Sequence, residues 1–210
     1  MMDAQELSSA PVRSLRERKK TAKQSRILDA AARLFAEKGY AAVTTSEIAA
    51  AADVGVGTLF RYAGSKAELL VSVMNDRLAE GIEAGLAEAK GGRTITESIL
   101  AILRPLSEES MTHPENMIAY EREALFGSAE HRDSATASVS RVEEAILEVL
   151  QLHQALPRDP SAQLGDIAHI IYAVLYLDLV KVGIGHASIA DLESSVERSV
   201  NLLVGPLLDS

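Results

Sequence analysis

The sequence predicts an all-α protein in two parts, with a helix-turn-helix pattern near the N-terminus and a larger helical domain after it. Three observations carry this. Apolar residues recur at three- and four-residue steps along most of the chain, the period of a helix with one buried face. The composition is rich in alanine and leucine, which favour helices over strands. The periodic stretches are separated by glycine and proline, at Gly39, Gly91-Gly92, Pro114, Gly127, Pro157, Pro160, Gly183 and Gly185.

Composition narrows the function classes. An apolar content of 47% over 210 residues is enough for a sizeable core and excludes global disorder. The absence of cysteine excludes disulfides, a Cys-ligated zinc finger and thiol redox chemistry. The stretch before Ser25 is charged and polar, unlike a secretory signal peptide, and Asp178 and Lys181 interrupt the most apolar region, so a cytoplasmic protein without membrane spans is expected. The net charge of −9 is unevenly distributed. Residues 1–70 hold 11 Lys/Arg against 8 Asp/Glu, and residues 71–210 hold 10 against 22. Within 13–26, Arg13, Arg16, Arg18, Lys19, Lys20, Lys23 and Arg26 face Glu17 alone. This asymmetry points the N-terminal part at nucleic acid.

Taken in order, residues 1–20 are expected to be a flexible basic arm. The run 13–23 reads equally as a mobile arm or as a solvated lead-in to the first helix. That helix is expected from Thr21 to Glu37, burying Ile27, Leu28, Ala31, Leu34 and Phe35, with Gly39 as its terminator. Next comes TTSEIAAAADVGVGTLFRYAGSK, Thr44 to Lys66. Thr44 and Glu47 have the spacing of a capping box, Ile48 to Ala52 form a short alanine-rich helix, and Asp53-Val54-Gly55 makes the turn. A second short helix starts at Val56 and turns Leu59 inward. Two helices joined by so short a turn are the requirement of a helix-turn-helix, whose second helix enters a major groove. Its outer face would carry Thr58, Phe60, Arg61 and Tyr62, with the Val56 and Gly57 backbone at its start. Thr44, Thr45 and Lys66 complete the candidate DNA contacts. Arg61 suits a guanine edge or a phosphate.

A long helix follows from Ser65 to Lys90, with Leu69, Leu70, Val73, Met74, Leu78 and Ile82 as its stripe; it crosses the domain boundary at residues 66/67 and is suited to carry a signal. Further helices are expected at 95–109, 115–127 and 130–155, the last with Val139, Val142, Ile146, Val149, Leu150 and Leu152 at helical spacing. Residues 162–182 are apolar nearly all round, which implies burial on more than one side. The last helix is expected at 188–204.

The segment from Ser25 to Leu70, with RILDAAARLFAEKGY and the Thr44–Lys66 stretch, resembles the DNA-binding domain of the TetR family of bacterial transcriptional repressors. The resemblance implies a DNA-binding domain over 21–66 and a helical ligand-binding and dimerisation domain over 67–210. It also implies a homodimer whose last two long helices form the interface, matched here by 162–204 through Ile167, Ile171, Val174, Asp178, Val196, Val200 and Leu203. The chain departs from the family pattern at Asp53 for glycine in the turn, Gly55 for a Ser/Thr cap, Phe60 for Tyr, and Ala63 for the aromatic after Tyr62. Candidate pocket residues are Met111, Met117, Tyr120, Glu121, Phe126, His153, Tyr172 and Tyr176, since aromatic, Met and a few polar residues suit a small apolar pocket. The five histidines form no metal-ligand motif, and no nucleophile–base pattern stands out, so neither an enzyme nor a metal or other cofactor is expected. The expected function is a ligand-responsive repressor that binds a palindromic double-stranded operator and is released by a small-molecule inducer. The alternative is a helical ligand-sensing or protein-interaction protein without DNA recognition.

Overall fold

The computed structural model describes residues 15–159 and 161–205, apart from the side chains of 15–18, 109–111, 135 and 139. Among them are nine α-helices: α1 Leu15–Lys38, α2 Thr45–Ala51, α3 Val56–Leu59, α4 Lys66–Lys90, α5 Ile95–Thr112, α6 Pro114–Phe126, α7 Ala129–Leu152, α8 Leu164–Gly183 and α9 Ile189–Leu203. The all-α prediction holds, and most helix ends fall within a few residues of the expected ones.

Two boundaries moved. The first helix begins at Leu15 instead of Thr21, so residues 15–20, expected in a flexible arm, are its opening turns. Residues 1–14 lie outside the described residues. The break expected at Ser110–Pro114 narrows to His113, because α5 runs through Thr112 and α6 starts with Pro114 at its first position, where a missing N–H costs nothing.

Helix α4 is the axis of the molecule. Its N-terminal half buries Leu69, Leu70 and Val73 beside α1, and its body packs on α5, α6 and α7. The closest approach is at Gly81, where a Cβ would overlap the carbonyl oxygen of Ile102 on α5. Only glycine permits that backbone-to-backbone distance. Around this axis Ile99, Ile102, Met117, Ile146, Leu150, Ile171 and Val196 are buried in one continuous core. The end of the chain is pinned by a short antiparallel bridge between Pro157 and Val204, with Gly205 N–H donating to the Leu156 carbonyl at 2.7 Å. No helix among the described residues is long and apolar enough to cross a membrane.

Candidate nucleic-acid interface and ligand cavity

Local chemistry sets the geometry of the N-terminal end. The Thr44 hydroxyl accepts from the Glu47 N–H (3.2 Å) while the Glu47 carboxylate accepts from the Thr44 N–H (2.9 Å), a complete capping box. Lys38 donates to the same carboxylate at 2.9 Å and ties the end of α1 to α2. These bonds, the Lys38 contact first, hold the Glu47 carboxyl down at about 2. Asp53 makes the turn in a left-handed conformation, φ 53°, which its short polar side chain tolerates. Its carboxylate lies 3.6 Å from Arg26 on α1. Helix α3 is a single turn capped by the bare backbone of Gly55. Leu59 and Ala63 are buried beneath it, which leaves Val56, Gly57, Phe60 and Arg61 exposed with Thr58 and Tyr62 half-buried.

Beside α3 runs an open groove of about 590 Å³ lined by Lys19, Lys20, Ala22, Lys23 and Arg26 of α1 and by Arg61 and Tyr62. Five cationic side chains from two elements thus line one groove. Lys19 and Lys20, expected in an arm, instead share a helical face with Lys23 and Arg26. The spacing 19, 20, 23, 26 contains that helix face, and it was legible only with the helix start placed earlier.

Helix α6 links this end to the rest of the molecule. Asn116, fully buried, accepts the Tyr40 N–H at 2.5 Å and donates to the Phe35 carbonyl at 3.0 Å. It thereby serves a donor and an acceptor at the α1–α2 corner. The approach is tight: a Cβ on Gly39, at φ 77°, would overlap the Glu115 carboxylate.

One turn further along α6, Tyr120 and Glu121 line a cavity of about 300 Å³ with Leu78, Leu103, Leu106, Ala124, Leu125, Thr136, Val142, Tyr172, Leu175, Tyr176 and Leu179. The Tyr120 hydroxyl donates to Asn75 Oδ1 on α4 (2.9 Å), and Asn75 donates to Ser134 on α7 (2.9 Å). The Tyr176 hydroxyl donates to the Glu121 carboxylate at 2.5 Å. Burial raises the Glu121 carboxyl above the usual carboxylate range, although the Tyr176 bond opposes this. Burial, with the charge of Glu121 next, pushes the Tyr172 hydroxyl up to about 12. Groups of three or more metal-ligating side chains are absent among the described residues.

Residues 27–73 match the family described as "Bacterial regulatory proteins, tetR family", and residues 92–203 match "Tetracyclin repressor-like, C-terminal domain". The chain belongs to the TetR family. It is 32% identical over 185 residues to the HTH-type transcriptional repressor KstR of Rhodococcus jostii (strain RHA1), covering 87% of this chain and 83% of that one. The KstR of Mycobacterium tuberculosis (strain ATCC 25618 / H37Rv) is 30% identical over 183 residues, covering 87% and 81%. In fold it is similar to Thermus thermophilus FadR, a TetR-family repressor solved with lauroyl-CoA, with a TM-score of 0.63, 24% identity and coverage of 85% and 92%.

Within this TetR-family chain the expected site residues divide. Thr44 and Thr45 lie at the start of α2, with the Thr44 N–H and hydroxyl both engaged by Glu47. Lys66, expected as a phosphate contact, is engaged within the chain. Its ammonium donates to the Tyr40 and Val43 carbonyls, both at 2.8 Å, and sits 4.2 Å from the centre of the Tyr40 ring. It closes the three-helix unit from within, and desolvation lowers its pKa. Of the pocket candidates, Tyr120, Glu121, Tyr172 and Tyr176 meet in the cavity. Met117 is core, packed beneath Gly183. Phe126 is 80% exposed at the end of α6. His153 caps α7, with its ring nitrogens 2.8 and 2.6 Å from the Val149 and Arg93 carbonyls. The Met111 side chain lies outside the described residues, as does that of Val139.

The expected dimer residues differ in how far the chain's own fold covers them. Ile167, Ile171, Val196 and Val200 are buried inside this chain's own core. Asp178 is held by Lys181 at 2.7 Å, while Val174 and Leu203 are half-buried. The exposed large apolar residues of these two helices are Ile170 and Leu177 on α8 and Leu202 on α9, with Ile184 just beyond α8. A helix apolar all round has two apolar faces, and its sequence does not say which one turns inward.

Proposed function

We propose that this TetR-family regulator is a repressor that binds a palindromic DNA operator as a homodimer and is released by a small-molecule inducer. The observation that carries the reading is helix α6, which reaches both ends of the problem. Its Asn116 serves the α1–α2 corner of the N-terminal unit, and its Tyr120 and Glu121 line the cavity. A ligand that displaces α6 then acts on the corner that orients α2 and α3. The exposed stripe Ile170, Leu177 and Ile184 favours a second copy packed on α8. A two-fold pair of α3 helices spaced by one turn of DNA reads a near-palindrome. Relatives that carry the name of repressor favour the same sense of regulation.

The inducer must bind the DNA-free arrangement more tightly than the DNA-bound one, and the coupling is reciprocal. An anisotropy titration with duplex from the intergenic DNA beside the gene tests the DNA half. Saturable binding that a scrambled duplex does not match, and that weakens with salt, is expected. Equal affinity for both duplexes rejects sequence recognition.

A further inference from the structure

We propose that the cavity between α6 and α8 takes a lipophilic organic cation, a quaternary ammonium or protonated amine on a compact apolar body, with Glu121 as its counter-charge. The proposal rests on the reading of this cavity as the inducer site.

The geometry raises a question that Glu121 does not answer by itself. A carboxylate withdrawn from water is costly unless it is paired. Here it receives one bond from the Tyr176 hydroxyl, and no Lys, Arg or His lines the cavity among the described residues. The charges felt there are of one sign. The Tyr120 hydroxyl is pushed up by burial and then by Glu121, and the Tyr172 hydroxyl by burial and then by Glu121 and Glu143. His169 on α8 is exposed and turned to Glu143 at 3.2 Å. An anionic ligand would therefore meet like charge without a counter-ion. The rest of the wall is aliphatic or aromatic, and Tyr172 and Tyr176 are stacked with ring centres 6.1 Å apart. Aromatic faces attract a cation that has left water. A charged head against Glu121 and the tyrosines, with an apolar body among Leu103, Leu106 and Leu175, satisfies each of these surfaces. The volume of about 300 Å³ accommodates a compact body of this kind.

Isothermal titration of the full chain with three matched probes tests this: benzyltrimethylammonium, its neutral carbon isostere neopentylbenzene, and the anion phenylmethanesulfonate. The cation is expected to bind once per chain, at least about tenfold more tightly than the isostere, with the sulfonate silent. Glu121→Gln is expected to weaken the cation by about tenfold or more and leave the isostere unchanged. The proposal is overturned if the isostere binds as tightly as the cation, if the cation does not bind at millimolar concentration, or if Glu121→Gln binds it unchanged. Should that variant not fold, the three probes on the unmodified chain still decide. Operator affinity measured alongside separates the two readings. A cation that binds through Glu121 without altering DNA affinity sustains the ligand class and rejects induction. DNA release by the isostere but not by the cation sustains induction and overturns the ligand class.

Discussion

At the scale of single residues, the N-terminal unit is held by a few polar contacts whose loss has a defined signature. Glu47 is exposed and held at about 2 against an ordinary value of 4.5 by the Lys38 and Thr44 contacts. A carboxyl whose folded pKa is depressed contributes stability that is complete above its unfolded pKa and lost as pH falls through the folded one. The contribution therefore fades between about pH 4.5 and 2. Glu47→Gln is expected to flatten the acid-unfolding curve in that window, and added salt to shrink the difference through the Lys38 part. A second prediction concerns Arg61, the exposed cation beside α3. Arg61→Ala is expected to weaken specific operator binding by about 1–3 kcal/mol without changing the thermal unfolding temperature, because among the described residues its side chain makes only a long 3.4 Å contact to Thr58. Unchanged anisotropy titrations would remove Arg61 from the interface.

At the scale of elements, α6 is the informative one. Asn116→Ala leaves the Phe35 carbonyl and the Tyr40 N–H without this buried partner, and a loss of about 1–3 kcal/mol in stability is expected from denaturant unfolding. If α6 transmits the ligand signal, the same variant keeps ligand affinity in the absence of DNA but shows less difference between DNA-bound and DNA-free protein. Titration of ligand into both forms reads that difference. The sequence displayed the helices clearly, because Gly39, Gly91, Gly127 and Pro114 punctuate strong periodic stretches. It displayed the capping box at Thr44 and Glu47, since capping depends on neighbours in the chain. The role of Lys66 was not legible, because the carbonyls it serves lie 23 and 26 residues away. Asn116 was hidden for the same reason, its partners being as much as 81 residues distant. In the cavity, four tyrosine and glutamate positions were recognisable by residue type, whereas Met117 and Phe126 share that chemistry but point elsewhere.

At the scale of the whole molecule, charge and apolar surface are segregated along the chain. The cationic groove lies on α1 and the turn after α3, while residues 71–210 carry the excess of acid that repels a polyanion elsewhere. The α8 stripe lies far along the chain from the groove and is the expected seam of the dimer. Leu177, 55% exposed, lies outside the buried core, so Leu177→Glu is expected to shift sedimentation towards monomer while leaving helix content unchanged. Loss of cooperative operator binding should accompany it, because a single α3 reads only half a site. Persistence of the dimer would move the interface away from this stripe.

The central claim is that this chain recognises a symmetric DNA site through the α1–α3 end as a dimer. Selection of bound sequences from a random duplex library tests it most directly. A palindrome whose half-sites are separated by about one helical turn, or a multiple of it, is the predicted outcome. Recovery of no enriched sequence, or of a single unrepeated half-site, would contradict it.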